Sequence, residues 1–350
     1  MGASGRGAAE RTISPVQIPV PVAYAGRNLL EESFAVIDLR NCLVVGISSS
    51  ALFDLEEGDR IFREAGRSEY EQYQERLANE VLRPGSAFNF ISTLLALNEI
   101  KPDLVEVIIM SRNSPSSGLR VMHSVREHGL PITRAIFREG LPSYEFMRAL
   151  NMSLFLSSNR RDVQDAITFG SPAGYVLPGG GARQGRANSL RLAFDFDAVL
   201  ADDEAERRYT EAGLENFKSY EDSHSNEPLR PGPLRDFLAG INRIQEIEEE
   251  QMAYLPSYEK RVRVSLVTAR NAPAHERAVR SLESWGVHVD DAFFLGGLSK
   301  TQVLNSLEPS IFFDDQLRNL EDPELQTAAV HIPFGVHNVG PLSAPAKMIP

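Results

Sequence analysis

Short apolar runs alternate with longer amphipathic stretches through the second half of the chain. Five apolar runs have the length of buried strands, and they cover residues 190–194, 262–267, 293–295, 311–313 and 328–332. The stretches between them carry apolar residues at helical spacing. One begins at Asp202, and the others cover residues 233–250, 274–285 and 300–307. Strands that alternate with helices predict an α/β fold with a parallel sheet covered on both faces.

Several short sequence matches recur along the chain in the same order. The matched segments are 64–66 with 211–213, 82–85 with 229–232, 112–113 with 270–271, and 140–141 with 297–298. The first two pairs lie 147 residues apart (211 against 64, 229 against 82), and the last two lie 158 and 157 apart (270 against 112, 297 against 140). One match would be chance, but four in order predict two copies of one unit.

The repeats predict how the chain is divided. We expect a flexible N-terminal arm at 1–41, a first α/β unit at 42–177, a Gly-rich linker at 178–189, a second unit at 190–340 and a tail at 341–350. The arm lacks the continuous apolar stretch of a signal peptide, and no run approaches the roughly 18 apolar residues of a membrane span. The single cysteine, Cys42, is expected to be a small buried residue at a strand start, which fits a reducing compartment. These features predict a cytoplasmic protein.

Charge and composition narrow the classes of partner. The 350 residues carry a formal net charge of -12, and 42% of them are hydrophobic. The length predicts about two domains. No basic face for DNA or RNA is present, so nucleic acid is excluded as a partner. An acidic protein that binds an anionic substrate must concentrate positive charge locally, and a divalent cation does so.

Polar side chains follow the predicted strands of the second unit, at the points where the strands end. They are Asp195, Asp197, Thr268, Lys300, Asp314 and Asp315. Because the carboxyl ends of parallel strands meet at one edge of a sheet, we expect these side chains to lie together. One carboxylate can attack phosphorus and a second can transfer protons. Mg²⁺ held by carboxylate oxygens offsets the repulsion between carboxylate and phosphate, while an ammonium and a hydroxyl bind the phosphoryl oxygens.

Four segments of the second unit resemble the motifs of the haloacid dehalogenase-like phosphatases. They are Phe-Asp-Phe-Asp-Ala-Val at 194–199, Leu-Val-Thr-Ala-Arg at 266–270, Lys300, and Phe-Phe-Asp-Asp at 312–315. The wider chain, over residues 42–347, is similar to the cytosolic 5′-nucleotidase I family in particular, in segments 49–53, 226–229, 232–234, 284–286, 312–316 and 344–347. The resemblance implies two tandem Rossmann-like units of the haloacid dehalogenase-like type, with a small cap in the second.

The resemblance also implies roles for individual residues. Asp195 would be the nucleophile, and Asp197 would be the general acid and base and would give its main-chain carbonyl to Mg²⁺. Thr268 and Lys300 would bind the phosphate. The implied metal shell is Asp195 and Asp197 with Asp314, Asp315 or both. Candidate substrate contacts are Ala269, Arg270, His224 and Asn226.

Two of these substrate contacts have an alternative interpretation. His224 lies in a polar stretch expected to cover the site, but an exposed loop histidine explains it equally well. Arg270 recurs as Arg112 in the first unit, so part of its role is expected to be structural. The acidic run at 202–206, which includes Glu206, suits the start of a helix and is expected to be structural.

The same spacing, applied to the catalytic positions, gives neutral residues in the first unit. The corresponding residues are Ser48, Ser50, Met110, Ser143, Ser157 and Ser158. We therefore expect the first unit to keep the fold and to have lost the reaction. It would serve as a partner, a substrate wall, an effector site or a dimer surface.

The predicted function is Mg²⁺-dependent hydrolysis of nucleoside 5′-monophosphates such as AMP, through an aspartyl-phosphate. The nucleotide substrate rests on the family resemblance, because no residue in the sequence reads out a base. Two alternatives stay open: a phosphatase of a sugar phosphate or another small monoester, and a non-catalytic nucleotide sensor or scaffold. The resemblance also allows a nucleotide effector, and the sequence leaves homo-oligomerisation open.

Overall fold

The apolar runs form the strands of one large sheet in the computed structural model, which describes residues 38–179 and 189–338. Within these ranges ten strands join in a single mostly parallel sheet. Leu39 onward belongs to one unit. The predicted arm before residue 38, linker residues 180–188 and the tail lie outside the described residues.

The first half of the sheet is built from residues 43–176. Its elements are β1 (Leu43–Ile47), α1 (Ser49–Leu52), α2 (Glu56–Ala65), α3 (Arg67–Arg76), α4 (Phe88–Leu95), β2 (Val105–Ser111), α5 (Pro115–Glu127), β3 (Arg134–Phe137), β4 (Met152–Ser157), α6 (Arg160–Thr168) and β5 (Ala173–Val176). All five residues of β1 are buried, as expected for a central parallel strand covered on both faces. Cys42, just before it, is also buried, which confirms its prediction as a small core residue.

The second half follows the predicted alternation closely. Its elements are β6 (Leu190–Phe194), α7 (Glu204–Ser223), α8 (Arg235–Tyr254), β7 (Val262–Thr268), α9 (His275–Ser284), β8 (Asp291–Phe294), α10 (Thr301–Leu307), β9 (Ile311–Asp314), α11 (Leu317–Leu320) and β10 (Ala329–His331). The five predicted strands of this half are confirmed, with bounds that differ by at most two residues.

The two halves share one strand order. The sheet runs β3-β2-β1-β4-β5-β10-β9-β6-β7-β8, so β1 lies between β2 and β4 as β6 lies between β7 and β9. β6 begins 147 residues after β1 (190 against 43), and β7 begins 157 after β2 (262 against 105). The halves meet at the antiparallel pair β5 and β10, whereas the other strand pairs are parallel.

The repeated Glu-Ala-Gly segments have the same structural role in both halves. Gly66 separates α2 from α3 with φ of 86°, and Gly213 kinks α7 with φ of 76°. Glycine adopts this left-handed backbone without the steric cost of a Cβ. Likewise, an isolated bridge joins Phe53 to Pro84 in the first half, and another joins Ala201 to Pro231 in the second.

The core places the carboxyl end of β6 next to that of β9. Phe194 and Phe313 stack with ring centroids 5.0 Å apart, and Phe237 of α8 packs on both. These three rings are fully buried and fix the lateral position of the two strands that carry the predicted catalytic aspartates. None of the helices within the described ranges has the length and hydropathy needed to cross a bilayer.

Candidate active site

Asp195 lies directly after β6 and is fixed by backbone hydrogen bonds. Its amide donates to the carbonyl of Phe313 at 2.8 Å, which ties it to β9. Its Oδ1 accepts from the amide of Phe196 at 2.7 Å, and the residue is 5% exposed. Burial raises the pKa of Asp195 above its ordinary value, against the effect of a nearby lysine.

That lysine, Lys300, joins two of the predicted catalytic aspartates. It precedes α10, and its Nζ lies 2.8 Å from Oδ2 of Asp195 and 2.7 Å from Oδ2 of Asp314. Burial opposes the charged ammonium, but the two carboxylates raise the pKa of Lys300 above its ordinary value. The ammonium is therefore held as a cation between the carboxyl ends of β6 and β9.

Asp314 and Asp315 are adjacent, but their carboxylates differ in the number of hydrogen bonds that they accept from the protein. The Asp314 oxygens accept from Lys300, from the Gln316 amide and from the Asn319 side chain. Both carboxylate oxygens of Asp315 are buried without a hydrogen-bond partner. Its carbonyl is fixed, because His331 contacts it at 2.8 Å and Asn338 donates to it at 3.1 Å. Asp315 thus presents two free oxygens from a fixed backbone.

Asp197 lies at the edge of the site and is bound by an arginine. Arg270 donates Nε and Nη2 to its two oxygens at 2.8 and 2.7 Å. The remaining nitrogen of Arg270 donates to Glu221 of α7 at 2.5 Å and to the carbonyl of Ala274 at 3.0 Å. Glu221 is fully buried and also accepts from Arg277 of α9 at 2.8 Å. A buried ion network therefore links α7 and α9 to Asp197.

Phe196 and Thr268 are buried residues that both contact Arg270. Phe196 is fully buried and stacks on Trp285 with centroids 6.0 Å apart, and the guanidinium of Arg270 lies 5.0 Å above its ring. Thr268 ends β7, is 1% exposed, and accepts a hydrogen bond from the Arg270 amide at 3.3 Å. Phe196 thus serves packing, while Thr268 presents a hydroxyl at a strand end.

The four predicted substrate contacts lie in different surroundings. Ala269 and Asn226 are exposed, whereas Arg270 is engaged by Asp197 and Glu221. His224 follows α7, and its ring stacks on that of Tyr220 with centroids 3.9 Å apart. The described contacts of His224 are therefore with the end of its own helix, and its substrate role stays a prediction.

Glu206 is a buried acid of this region whose interpretation from the sequence was structural. It is 9% exposed, and burial followed by repulsion from Asp197 and Asp195 raises its pKa to about 8. Its Oε1 accepts from the side chain of Gln316 at 2.8 Å. The sequence offers only a weak signal for it, because an acidic residue in a first helical turn has an ordinary explanation.

The acidic cluster has the donors that a hard divalent cation prefers. Asp195, Asp314 and Asp315 each offer an oxygen, and these atoms lie within 4.8 Å of one another. Among the described residues this is the one such group of carboxylate, histidine or cysteine side chains. Burial, and then repulsion by Glu206 and Asp195, raise the pKa of Asp315 to about 10. The orphaned oxygens of Asp315 and this charge excess fit Mg²⁺ or a similar ion.

Hydroxyl groups occupy the corresponding strand ends of the first half. Ser48 follows β1, and its Oγ lies 3.2 Å from that of Ser50. Ser158 follows β4 and donates to Ser50 at 2.6 Å. These hydroxyl groups contact one another, and they stand where the second half has carboxylates.

Comparisons with known proteins give one family. A model of the 5′-nucleotidase family matches residues 35–339. Human cytosolic 5′-nucleotidase 1B is 32% identical over 292 residues, which cover 81% of this chain and 47% of that protein. The chain therefore spans about half the length of this curated relative. A histidinol dehydrogenase structure from Elizabethkingia anophelis matches at 12% identity with a TM-score of 0.19, covering 70% of this chain and 49% of that one, and at this score it carries no argument.

Proposed function

The chain belongs to the 5′-nucleotidase family, as its resemblance to the cytosolic 5′-nucleotidase I members indicated, and on that premise we propose that it hydrolyses nucleoside 5′-monophosphates. The observation that carries the proposal is the buried cluster of Asp195, Lys300, Asp314 and Asp315 at the carboxyl ends of β6 and β9. The reaction releases a nucleoside and inorganic phosphate, and we place it in the cytosol, where the human relative's name places that protein.

Mg²⁺ is the proposed cofactor, with Asp195 and Asp315 as side-chain ligands. Asp315 is favoured over Asp314 as a direct ligand because its oxygens have no protein partner, whereas those of Asp314 already accept from three residues. When bound, the cation would neutralise negative charge on the phosphate and on the attacking carboxylate. The backbone carbonyl of Asp197 is the further ligand that the family resemblance implies.

In the proposed first step, an Asp195 carboxylate oxygen attacks phosphorus and the bond from phosphorus to the ester oxygen breaks. The leaving oxygen takes a proton from Asp197, and phosphate is now bound to Asp195. In the second step a water oxygen attacks phosphorus, its proton passes to Asp197, and the bond to Asp195 breaks. Inorganic phosphate leaves and both aspartates return to their starting states. Lys300 and Thr268 would bind the phosphoryl oxygens throughout.

We also propose that the first half is a copy of the same unit that keeps the fold and has lost the reaction, and the sheet supports this. The two halves have the same strand order, and hydroxyls stand where the second half has carboxylates. We propose two tandem units of the haloacid dehalogenase-like type, with the segment after α7 as a small cap. The unit boundaries, a nucleotide effector and homo-oligomerisation stay predictions from the sequence.

A substrate panel tests the proposed function. Phosphate release from AMP, IMP, UMP and deoxynucleotides would be compared with release from sugar phosphates, with Mg²⁺ and with EDTA. We expect nucleotides to be preferred, EDTA to abolish turnover, and Asp195→Asn to lower turnover about 10³-fold or more. Ser48→Ala, the matched change in the first half, should leave turnover unchanged.

Two outcomes would redirect the assignment. Preference for sugar phosphates would favour a phosphatase of another small monoester on the same site. Nucleotide binding without phosphate release, in wild-type protein supplied with Mg²⁺, would favour a sensor.

A further inference from the structure

Glu206 differs from its acidic neighbours at the start of α7 in having no arginine or lysine partner among the described residues. Each of those neighbours pairs with an arginine, in the pairs Asp202 with Arg230, Asp203 with Arg207, and Glu204 with Arg277. The cationic group nearest to Glu206 is His337, whose Nε2 lies 3.7 Å from Oε1 and which is charged only when protonated.

The free oxygen of Glu206 is enclosed by protein. Oε2 is buried and has no hydrogen-bond partner, although the residue is 9% exposed. The backbone of Gly335 lies close to this oxygen, since a Cβ added at that position would stand 3.7 Å from Oε2 and 2.9 Å from the Cβ of Asp203. The free oxygen of Glu206 is therefore shielded from solvent, while its other oxygen is bound to Gln316, the residue after Asp315.

Gln316 holds Glu206 against the loop that carries the metal aspartates. Its backbone N–H donates to Oδ1 of Asp314 at 2.8 Å, and its side-chain Nε2 donates to Oε1 of Glu206 at 2.8 Å. A single residue thus places a fourth carboxylate beside Asp195, Asp314 and Asp315.

Among the described residues, no arginine or lysine pairs with Glu206 to offset the cost of this arrangement. An unpaired buried carboxylate costs several kcal/mol. A helix N-terminus returns up to about 2 kcal/mol in favourable, partly buried positions. Lys300 is already shared by Asp195 and Asp314. A divalent cation in the cluster would supply the missing charge, and the ligands of such a cation include water molecules that need acceptors.

We propose that Glu206 is an acidic member of the metal centre, whose free oxygen accepts a hydrogen bond from a water molecule on the cation and whose charge raises the affinity for that cation. The proposal rests on the proposed function, in that the cation is the one held by Asp195 and Asp315. Glu206 acts through the cation and its water, so it is a positioning residue. Removal of such a partner typically weakens metal binding about 10- to 100-fold.

Direct cation binding tests this role without turnover. The affinity of the full chain for Mn²⁺ would be measured by electron paramagnetic resonance, and for Mg²⁺ by calorimetry, with no substrate present. We expect Glu206→Gln to weaken both affinities about 10- to 100-fold, and Glu206→Asp to restore part of the loss. Asp203→Asn, which removes a charge from the same helix start, should leave both unchanged.

Thermal unfolding supplies a second readout and a check on folding. Without metal, Glu206→Gln should unfold at the same temperature as wild type or higher, since it replaces a carboxyl group whose charged form is disfavoured by burial and by its acidic neighbours, and added Mg²⁺ should stabilise it less. If Glu206→Gln keeps wild-type affinity while Asp315→Asn loses it, the role of Glu206 is wrong and the metal centre stands. If wild-type protein binds neither ion, the metal centre itself is wrong, and this proposal with it.

Discussion

Arg270 donates hydrogen bonds to both carboxylate oxygens of Asp197, from Nε at 2.8 Å and from Nη2 at 2.7 Å. The pair is backed by Glu221, which receives a further hydrogen bond from Arg270. The planar guanidinium fixes the orientation of the carboxylate in a way that the single ammonium of lysine does not. In the proposed reaction, one of the two hydrogen bonds must open each time Asp197 carries a proton.

Replacement of Arg270 by lysine should therefore impair both stability and turnover. Arg270→Lys leaves Asp197 and Glu221 incompletely paired, and we expect the free energy of unfolding to fall by about 3 kcal/mol. We expect turnover by the folded fraction to fall about 10²-fold, because the proton donor loses its fixed position. Urea unfolding and steady-state phosphate release measure the two effects.

Arg112→Lys is the matched control for this variant. Arg112 is the counterpart of Arg270 in the first half, and its guanidinium pairs with Asp162 instead. Because the Arg112 side chain is 31% exposed, we expect a stability loss of about 1 kcal/mol or less and unchanged turnover. Equal loss of turnover in both variants would contradict a specific role for Arg270 at Asp197.

Lys300 should contribute most to the free energy of unfolding when no divalent cation is bound. Lys300→Met keeps an unbranched side chain as far as the ε position but leaves Asp195 and Asp314 buried without their ammonium. We expect about 3–5 kcal/mol of destabilisation in EDTA, a smaller loss with Mg²⁺, and a fall in turnover of about 10²- to 10³-fold. Calorimetric unfolding with and without Mg²⁺ measures the first two quantities.

A lysine outside the site provides the comparison for Lys300. Lys260 lies 2.7 Å from Asp290, and its side chain is 18% exposed. Lys260→Met should lower stability without a dependence on Mg²⁺ and without loss of turnover. The interpretation of Lys300 fails if Lys300→Met and Lys260→Met respond to Mg²⁺ alike.

The stability of the metal-free protein should fall as pH rises through neutrality. Burial, and then neighbouring carboxylates, raise the pKa of Glu206 to about 8 and that of Asp315 to about 10. Unfolded carboxyl groups ionise near pH 4, so between these values the folded state holds more protons than the unfolded state. The free energy of unfolding then decreases with pH, by up to about 1.4 kcal/mol per pH unit for each proton of difference.

Bound cation should remove this trend, because the ligands must be deprotonated to bind it and the folded state then holds no extra protons. We expect the stabilisation by Mg²⁺ to grow between about pH 5 and about pH 8. Urea unfolding across this range, in EDTA and in saturating Mg²⁺, gives both curves. Metal-free stability that rises across the same range would show that the cluster is not short of positive charge.

The sequence predicted the strands and the meeting of these acidic and basic side chains for one physical reason. A central parallel strand is buried on both faces, so β9 begins with an apolar run and β6 is apolar except for Arg191, and the polar residues after these runs must meet at the sheet edge. Asp195, Lys300 and Asp314 are in contact as that argument expected.

Contacts set by the rotation of a helix against the sheet could not be predicted. Glu206 and Glu221 lie on α7 before and after its kink at Gly213, so their neighbours depend on how each part of that helix is rotated against the sheet. The pairing of β5 with β10 could not be predicted either. Two repeated units predict two similar sheets and do not specify that their last strands pair. Short antiparallel pairing of this sort is decided by tertiary packing.

Capture of the covalent intermediate tests the central claim most directly. Wild-type protein would be mixed with ³²P-labelled AMP and Mg²⁺, quenched in acid within a single turnover, digested and mapped by mass spectrometry. The account predicts label on the peptide that contains Asp195, released by hydroxylamine as expected for an acyl phosphate, and absent in Asp195→Asn. Steady production of labelled phosphate from wild-type protein, with no label on that peptide at any quench time, would contradict it.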